Sequence, residues 1–294
     1  MRIIYLFAFL LIFSCKENTE KVPETSKAVL KPSALIAAFQ YKTNQAPLIS
    51  VHRGGVGILN YAENCLETIK YINDSIAAVF EIDIARTKDG VLVLMHDNTL
   101  ERTTTGTDNL TKYTFEELQA FNLKDDFGNV TNFKIPKFAD VLNWSKENNA
   151  ILTVDIKRSV DVADVIQAIR DAKAEDIALI ITYDMEQAKK AYALAPDLLL
   201  SVSARNQQEL DWLLESEIPT QNMLAFTGTK LSDTSLYNNL HKKGIQTMLG
   251  TLGNLDKQAE AKGDSLYIKW QKLGIDIFAT DRAFEAAKAL KIEK

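Results

Sequence analysis

The chain has 294 residues, 46% hydrophobic and 25% charged, with a formal net charge of -5. That is an ordinary soluble composition, long enough for one large α/β domain or two small ones with a substantial core. No long basic run is present, so nothing here points to a nucleic-acid footprint.

Met1 to Cys15 pairs a basic start with a short apolar stretch ending in Ser14-Cys15. It is too short to span a bilayer comfortably and reads as an export signal. Its end, Ile12-Phe13-Ser14 before Cys15, resembles a bacterial lipobox, although Phe13 is bulkier than usual there. The resemblance implies a signal peptide over residues 1–15 and an acylated Cys15. The expected product is an exported, membrane-anchored lipoprotein facing the periplasm or the cell surface. The polar stretch 16–32, with Pro23 and Pro32, reads as a flexible tether. Residues 33–42 suit a short first helix covering one end of the domain. Tether and helix thus take 16–42, and the main domain takes 43–294.

Leu48 to Val51 is a buried strand leading into His52-Arg53-Gly54-Gly55. Asn64 is placed to cap a helix running to about Asp74, and Cys65 in that helix reads as a small buried hydrophobe. Ala77 to Ile84 and Val91 to Met95 alternate in hydrophobicity on either side of Asp89-Gly90, a hairpin signal. A turn centred on that dipeptide puts Glu81 and Asp83 on one face and sets His96 opposite Asp83. Residues 98–137 lack periodicity and read as a cap or lid, with a helical turn at Phe115 to Leu118 and a turn at Asp125 to Asn129.

From Phe138 helices and strands alternate. The helices are expected at 138–147, 162–172, 185–194, 207–215, 236–242, 259–273 and 283–290. The strands are expected at 151–157, 177–182, 198–203, 223–227, 245–249 and 275–279. Nine strands result. The one at 91–95 follows a tight turn and must run antiparallel, which leaves eight parallel strands. That count favours a closed (β/α)8 TIM barrel with a hairpin arm after strand 2 and an inserted cap. No Gly-x-Gly-x-x-Gly follows the first strand, which disfavours a dinucleotide-binding fold.

Barrel active sites lie at the C-terminal strand ends. Those ends carry His52-Arg53, Glu81 and Asp83 with His96, Asp155 and Lys157, Ser203, Thr227, and Thr280-Asp281. Glu81, Asp83 and Asp155 are oxygen donors suited to Mg2+ or Ca2+. Two histidines suit acid/base work, and Arg53 and Lys157 suit an anionic phosphate. Together they suit cleavage of a phosphodiester, whose transition state spreads negative charge over oxygens.

His52-Arg53-Gly54, Glu63-Asn64, Glu81-Ile82-Asp83, Thr87-Lys-Asp-Gly90, and His96-Asp97 with Leu100 and Thr103 resemble the glycerophosphodiester phosphodiesterases. Asp155-Ile-Lys157 and Thr280-Asp281 extend the resemblance over roughly residues 48–284. It implies that His52 and His96 are the acid/base pair and that Glu81, Asp83 and Asp155 bind one divalent cation, Ca2+ or Mg2+. It further implies that Arg53 and Lys157 grip phosphate, with Glu63 supporting by hydrogen bonding or ligation. The implied reaction is hydrolysis of a small glycerophosphodiester to an alcohol and glycerol phosphate, through a cyclic phosphate. The chain departs from the pattern at Ala62 and Cys65, at Asp155 (usually Glu), at Met248 to Thr251 in place of a Trp-Thr element, and at Ala283 in place of Pro. These leave the catalytic set complete and bear on the substrate.

Two other functions compete: a phospholipase-type lipid phosphodiesterase, and a non-catalytic ligand-binding lipoprotein on the same barrel. Asp281 suits either structural hydrogen bonding or the site. His241 reads as a solvated helix end, and Trp144, Trp212 and Trp270 as packing residues.

Overall fold

Eight strands run parallel and close on themselves, with helices between them. The computed structural model describes residues 30–294, so the signal-like stretch, Cys15 and the tether to residue 29 lie outside the described residues. The staves are β1 (Leu48–Val51), β2 (Ala78–Arg86), β4 (Ile151–Ile156), β5 (Ala178–Ile181), β6 (Leu200–Ser203), β7 (Met223–Phe226), β8 (Thr247–Gly250) and β9 (Ile277–Thr280). Neighbours pair in the order β1-β9-β8-β7-β6-β5-β4-β2, and a β1–β2 ladder closes the ring. This is a (β/α)8 barrel.

Strand alternation splits the apolar residues into two cores. Outward residues such as Phe80, Ile82, Val154 and Phe278 pack under the helices. Inward residues Val79, Leu179, Leu199, Leu224, Met248 and Ile277 fill the lumen with Leu35, Ile36 and Phe39. The last three belong to α1 (Ala34–Ala38) and its C-cap, capped at the other end by the Ser33 hydroxyl. The Ser33 amide donates to Asp197 O (2.8 Å) and its hydroxyl to Glu175 O (2.6 Å), both on loops that enter strands. α1 therefore plugs the N-terminal end of the barrel, and burying its three apolar side chains contributes about 1.5–3 kcal/mol each. The compact unit that contains the barrel starts at Lys31 and so takes in this helix.

The hairpin forms one residue out of the expected register. β3 (Leu92–Leu94) pairs Ile84 with Leu94 and Ala85 with Val93, and the Met95 amide donates to Asp83 O (2.9 Å). Met95, not His96, lies opposite Asp83. The cause is a three-residue loop, Lys88-Asp89-Gly90, closed by the Thr87 amide on Val91 O. Gly90 takes φ +85°, the left-handed residue such loops require. β1 ends at Val51 opposite Phe80, so β3 takes over the same edge of β2 further up. The arm thus rises from the rim without interrupting the barrel.

Residues 98–137 fold back as a cap. Bridges join Thr99 to Asn109, Thr104 to Leu123 and Lys124 to Val130, and a capping box (Thr114 with Glu117) starts the one-turn helix α3 (Phe115–Leu118). Leu100, Leu110, Leu118, Leu123 and Ile135 form a small core over Cys65, Val93 and Met95.

Three further details correct the expectations. The helix after β8 is two helices, α9 (Asn254–Lys262) and α10 (Ser265–Gln271), parted by Gly263-Asp264. His241 is not solvated: its ring stacks on Tyr41 at 3.7 Å and Nε2 lies 2.9 Å from Asp276 Oδ2. Trp270 packs edge-on against Tyr267, but Trp212 is half exposed.

Candidate active site

The chain leaves β1 through a run of left-handed residues: Arg53 (φ +51°), Gly54 (+68°) and Gly55 (+132°). A Cβ on Gly55 would come 2.6 Å from Ile72 and 2.7 Å from Thr68, so the turn can lie against α2 (Leu66–Asn73) only with glycine there. Arg53 has no such freedom and its left-handed backbone costs about 1 kcal/mol. Two hydrogen bonds hold it: its amide donates to Glu81 Oε2 (2.6 Å), and its carbonyl accepts from the Asn64 amide (2.6 Å). The strain fixes the Arg53 side chain over the barrel mouth.

Asn64 does not cap α2, whose N-cap is Cys65. Left-handed itself, Asn64 clamps Asp83: its Nδ2 donates to Asp83 Oδ2 (2.7 Å) and its Oδ1 accepts from the Asp83 amide (2.9 Å). Lys157 Nζ reaches Asp83 Oδ1 (2.6 Å) and, less closely, Asp155 Oδ2 (3.5 Å). Burial alone would raise the Asp83 carboxyl, but the Lys157 charge and the Asn64 amide hold it below the usual range.

Asp83 and Asp155 are register partners on β2 and β4, and Glu81 precedes Asp83 by two on the same face. One oxygen from each of the three carboxylates lies within 4.8 Å of the others. Burial and the charges of Asp83 and Asp155 push Glu81 well above its ordinary value. Asp155 is raised too, by burial and by Asp83, against the pull of Lys157. Asp155 Oδ1 is buried with no hydrogen-bond partner among the described residues. Three crowded carboxylates, one lysine and an orphaned oxygen fit a divalent cation of the Mg2+ or Ca2+ type. Glu63 is not in this group. It is 3% exposed and faces Arg53 and Arg102, so hydrogen bonding is its part in the structure.

Each histidine at the mouth has a carboxylate behind it. His52 Nδ1 lies 2.7 Å from Asp281 Oδ1, and His96 Nδ1 lies 2.6 Å from Asp97 Oδ1. A carboxylate accepts, so the proton sits on Nδ1 and Nε2 is left for chemistry. His96 Nε2 lies 2.8 Å from Arg53 Nη2 and accepts from it. Asp97 is drawn down to about 2 by its bonds to Arg102 and His96, against partial burial. Asp281 is set by a second layer. Buried Asp256 accepts from the Asp281 amide (2.8 Å), the Thr280 hydroxyl (2.9 Å) and the Tyr267 hydroxyl (2.7 Å).

His52, Arg53, Glu63, Glu81, Asp83, His96, Asp155 and Lys157 are therefore gathered at one rim. Sequence reasoning gave Asn64 the wrong task and missed Asp256 altogether. Asp256 sits in α9 among polar residues and no local pattern marks it. Asp97 stands in the His96-Asp97 block, whereas Arg102 reads from the sequence as lid and loop structure that could reach substrate, and its tie to Glu63 spans 39 positions.

The family model for the Glycerophosphoryl diester phosphodiesterase family matches residues 52–283. A curated human relative, glycerophosphodiester phosphodiesterase 1, is 35% identical over 159 residues, a match covering 52% of this chain and 42% of that protein. A crystal structure of a glycerophosphoryl diester phosphodiesterase from Parabacteroides distasonis superposes with a TM-score of 0.81 at 34% identity. It covers 89% of this chain and 93% of its own. An Oleispira antarctica phosphodiesterase, in complex with the product sn-glycerol-3-phosphate, shares the fold with a TM-score of 0.68 at 17% identity, covering 84% of this chain and 97% of its own. With most of its length matched to the family model and the barrel in common, this chain belongs to the glycerophosphoryl diester phosphodiesterase family.

Proposed function

We propose that the protein hydrolyses glycerophosphodiesters to an alcohol and glycerol phosphate, with His52 and His96 as the acid/base pair. The observation that carries this reading is the pair of carboxylate-backed imidazoles sharing one rim with Arg53, Lys157 and the acidic trio. Arg53 and Lys157 hold the phosphate. One imidazole takes the proton of the neighbouring glycerol hydroxyl as its oxygen bonds to phosphorus. The other, which enters the step carrying a second proton on Nε2, gives that proton to the departing alcohol oxygen as the P–O bond breaks. With the two roles reversed, water opens the cyclic phosphate to glycerol phosphate. A divalent cation, Ca2+ or Mg2+, held by Glu81, Asp83 and Asp155, would stabilise the charge that develops on the phosphoryl oxygens.

A second reading, a lysophospholipid substrate, is favoured by exposed apolar residues beside the mouth. Leu59 (60% exposed) and Phe127 (62%) ride on two loops joined by the Gly57 amide on Asp126 and the Asn60 amide on Asp125. Asp126 lies close enough to Arg53, Glu63 and Arg102 for their charges to act on its carboxyl.

The test incubates protein starting at Lys31 with glycerophosphocholine, glycerophosphoethanolamine and lysophosphatidylcholine, with Mg2+, with Ca2+ and with EDTA. Glycerol phosphate release from the first two, abolished by EDTA, is expected. His52→Ala and His96→Ala are each expected to lower kcat about 10²–10⁴-fold. Normal turnover by either variant would sink the acid/base assignment. Preference for the acylated substrate would move the second reading ahead, and no turnover at all would favour a binding protein. The same proposal places the protein on a membrane through an acylated Cys15. Metabolic labelling with an alkynyl fatty acid should mark the full chain, and Cys15→Ser should abolish the mark.

A further inference from the structure

Five side chains at the mouth close a ring. Arg53 Nη1 lies 3.3 and 3.2 Å from the two oxygens of Glu63, and its Nη2 lies 2.8 Å from His96 Nε2. His96 Nδ1 meets Asp97 Oδ1 (2.6 Å), and Asp97 Oδ2 accepts from Arg102 Nε (2.5 Å). Arg102 returns to Glu63 with Nη1 at 2.8 Å and Nη2 at 2.7 Å.

The two arginines are not equivalent in this ring. Arg102 offers Glu63 two short parallel bonds, the fork that matches a carboxylate. Arg53 offers one nitrogen at two long distances, and its Nε is buried without a partner among the described residues. Glu63 is 3% exposed, and a carboxylate buried that deeply must be compensated. Whichever guanidinium presents the better fork holds it. Arg102 comes from the cap, whereas Arg53 comes from the end of β1, anchored through its amide on Glu81.

We propose that Arg102 is a positioning residue: its fork satisfies Glu63, and so keeps Glu63 from drawing the loosely held Arg53 guanidinium away from the phosphate of the substrate. The inference rests on the phosphodiesterase reading above. Without Arg102 the buried Glu63 carboxylate draws the Arg53 fork wholly onto itself, and the phosphate loses those donors. Arg102 also keeps Asp97 in line behind His96, so its loss lowers kcat as well. The larger effect falls on phosphate binding, because Arg53 is the donor that changes partner.

The test is calorimetric titration of the full chain, in mild detergent with Mg2+, with sn-glycerol 3-phosphate, alongside KM and kcat for glycerophosphoethanolamine. Arg102→Gln should raise Kd and KM about 10- to 100-fold, the scale of lost charged hydrogen bonds. Arg102→Lys, a point charge without a fork, should recover part of the loss. The deciding variant adds Glu63→Gln to Arg102→Gln. Removing the charge that captures Arg53 should bring Kd back most of the way, which no repair of cap packing would do.

Wild-type Kd in Arg102→Gln overturns the proposal, as does a folded double variant that binds no better than Arg102→Gln alone. Should the double variant not fold, Arg102→Lys decides: a Kd no better than that of Arg102→Gln overturns it. A wild-type chain that binds glycerol phosphate without turning over any diester sinks the phosphodiesterase reading, and the binding series still decides the role of Arg102. A chain that neither binds nor turns over sinks both.

Discussion

Cys65 lies wholly buried under the cap, between α2 and the apolar residues of the arm. Burial, with the Glu67 charge beside it, pushes its thiol up to about 12. A thiol held protonated has almost no thiolate to react. In a Cys15→Ser background, iodoacetamide at pH 8 should therefore leave the native protein unmodified and label Cys65 at the rate of cap opening or unfolding. Labelling as fast as free cysteine would contradict the burial. Asp97 carries the opposite shift. Its carboxyl is held near 2 in the fold, below its ordinary value of 3.8, so its ionised form favours the folded state. That contribution is complete above about pH 4 and fades as pH falls through 2. An Asp97→Asn variant should unfold less steeply with acid over that window, and an unchanged acid limb would deny the carboxylate that part. At this scale the sequence was most informative where a strand end states a direction. Glu81, Asp83, Asp155 and Lys157 are legible because alternation alone sends them to one rim. Asn64 and Asp256 are not, since each acts on a residue 19 or 25 positions away that only the closed barrel brings near.

At the scale of elements, the hairpin separates what pattern can give from what turn geometry decides. Alternation identified both arms, and Asp89-Gly90 identified the turn. A two-residue and a three-residue loop both suit that dipeptide, and they differ by one place in register. Asp89 settles the matter: a two-residue type I′ turn needs a positive φ at both central residues, and here only Gly90 takes one (+85°), with open space around its Cα. A Gly90→Ala change meets no neighbour and is penalised by backbone strain alone, about 1–2 kcal/mol. Urea unfolding should show a lower midpoint at unchanged slope. A neutral result would mean the loop relaxes to another turn. α1 makes a different kind of prediction. Phe39 closes the lumen from below, so Phe39→Ala should cost about 3–5 kcal/mol through a cavity at the barrel floor. The rim chemistry lies at the other end of the staves, so kcat of the folded fraction should stay near wild type; a collapse of kcat would show that the floor is coupled to the mouth.

For the whole molecule, the parallel barrel gives the acidic trio its cost as well as its place. Glu81, Asp83 and Asp155 converge because adjacent staves are in register, Asp83 directly beside Asp155, and Lys157 is the cation seated against two of the three. Asp155 has its carboxyl raised in the fold, by burial and by Asp83. A carboxyl raised on folding opposes stability at pH values above both its folded and unfolded pKa. The neutral isostere Asp155→Asn should therefore raise the Tm of EDTA-treated protein, by a few degrees if the relief is about 1 kcal/mol. A divalent cation held by the trio would reverse the account, since it would bind only the folded site and stabilise by mass action. At a hundred times Kd the gain is about 2.7 kcal/mol, or roughly 5–10 °C in a domain of this size. Titration with Mg2+ and with Ca2+, followed by differential scanning calorimetry, should thus show opposite orders: Asp155→Asn more stable than wild type in EDTA, and less stable than wild type in saturating metal. The cation producing the larger rise at equal concentration identifies the one the trio prefers. Equal metal-induced shifts in wild type and Asp155→Asn would place the cation elsewhere and leave the three carboxylates without the partner their crowding calls for.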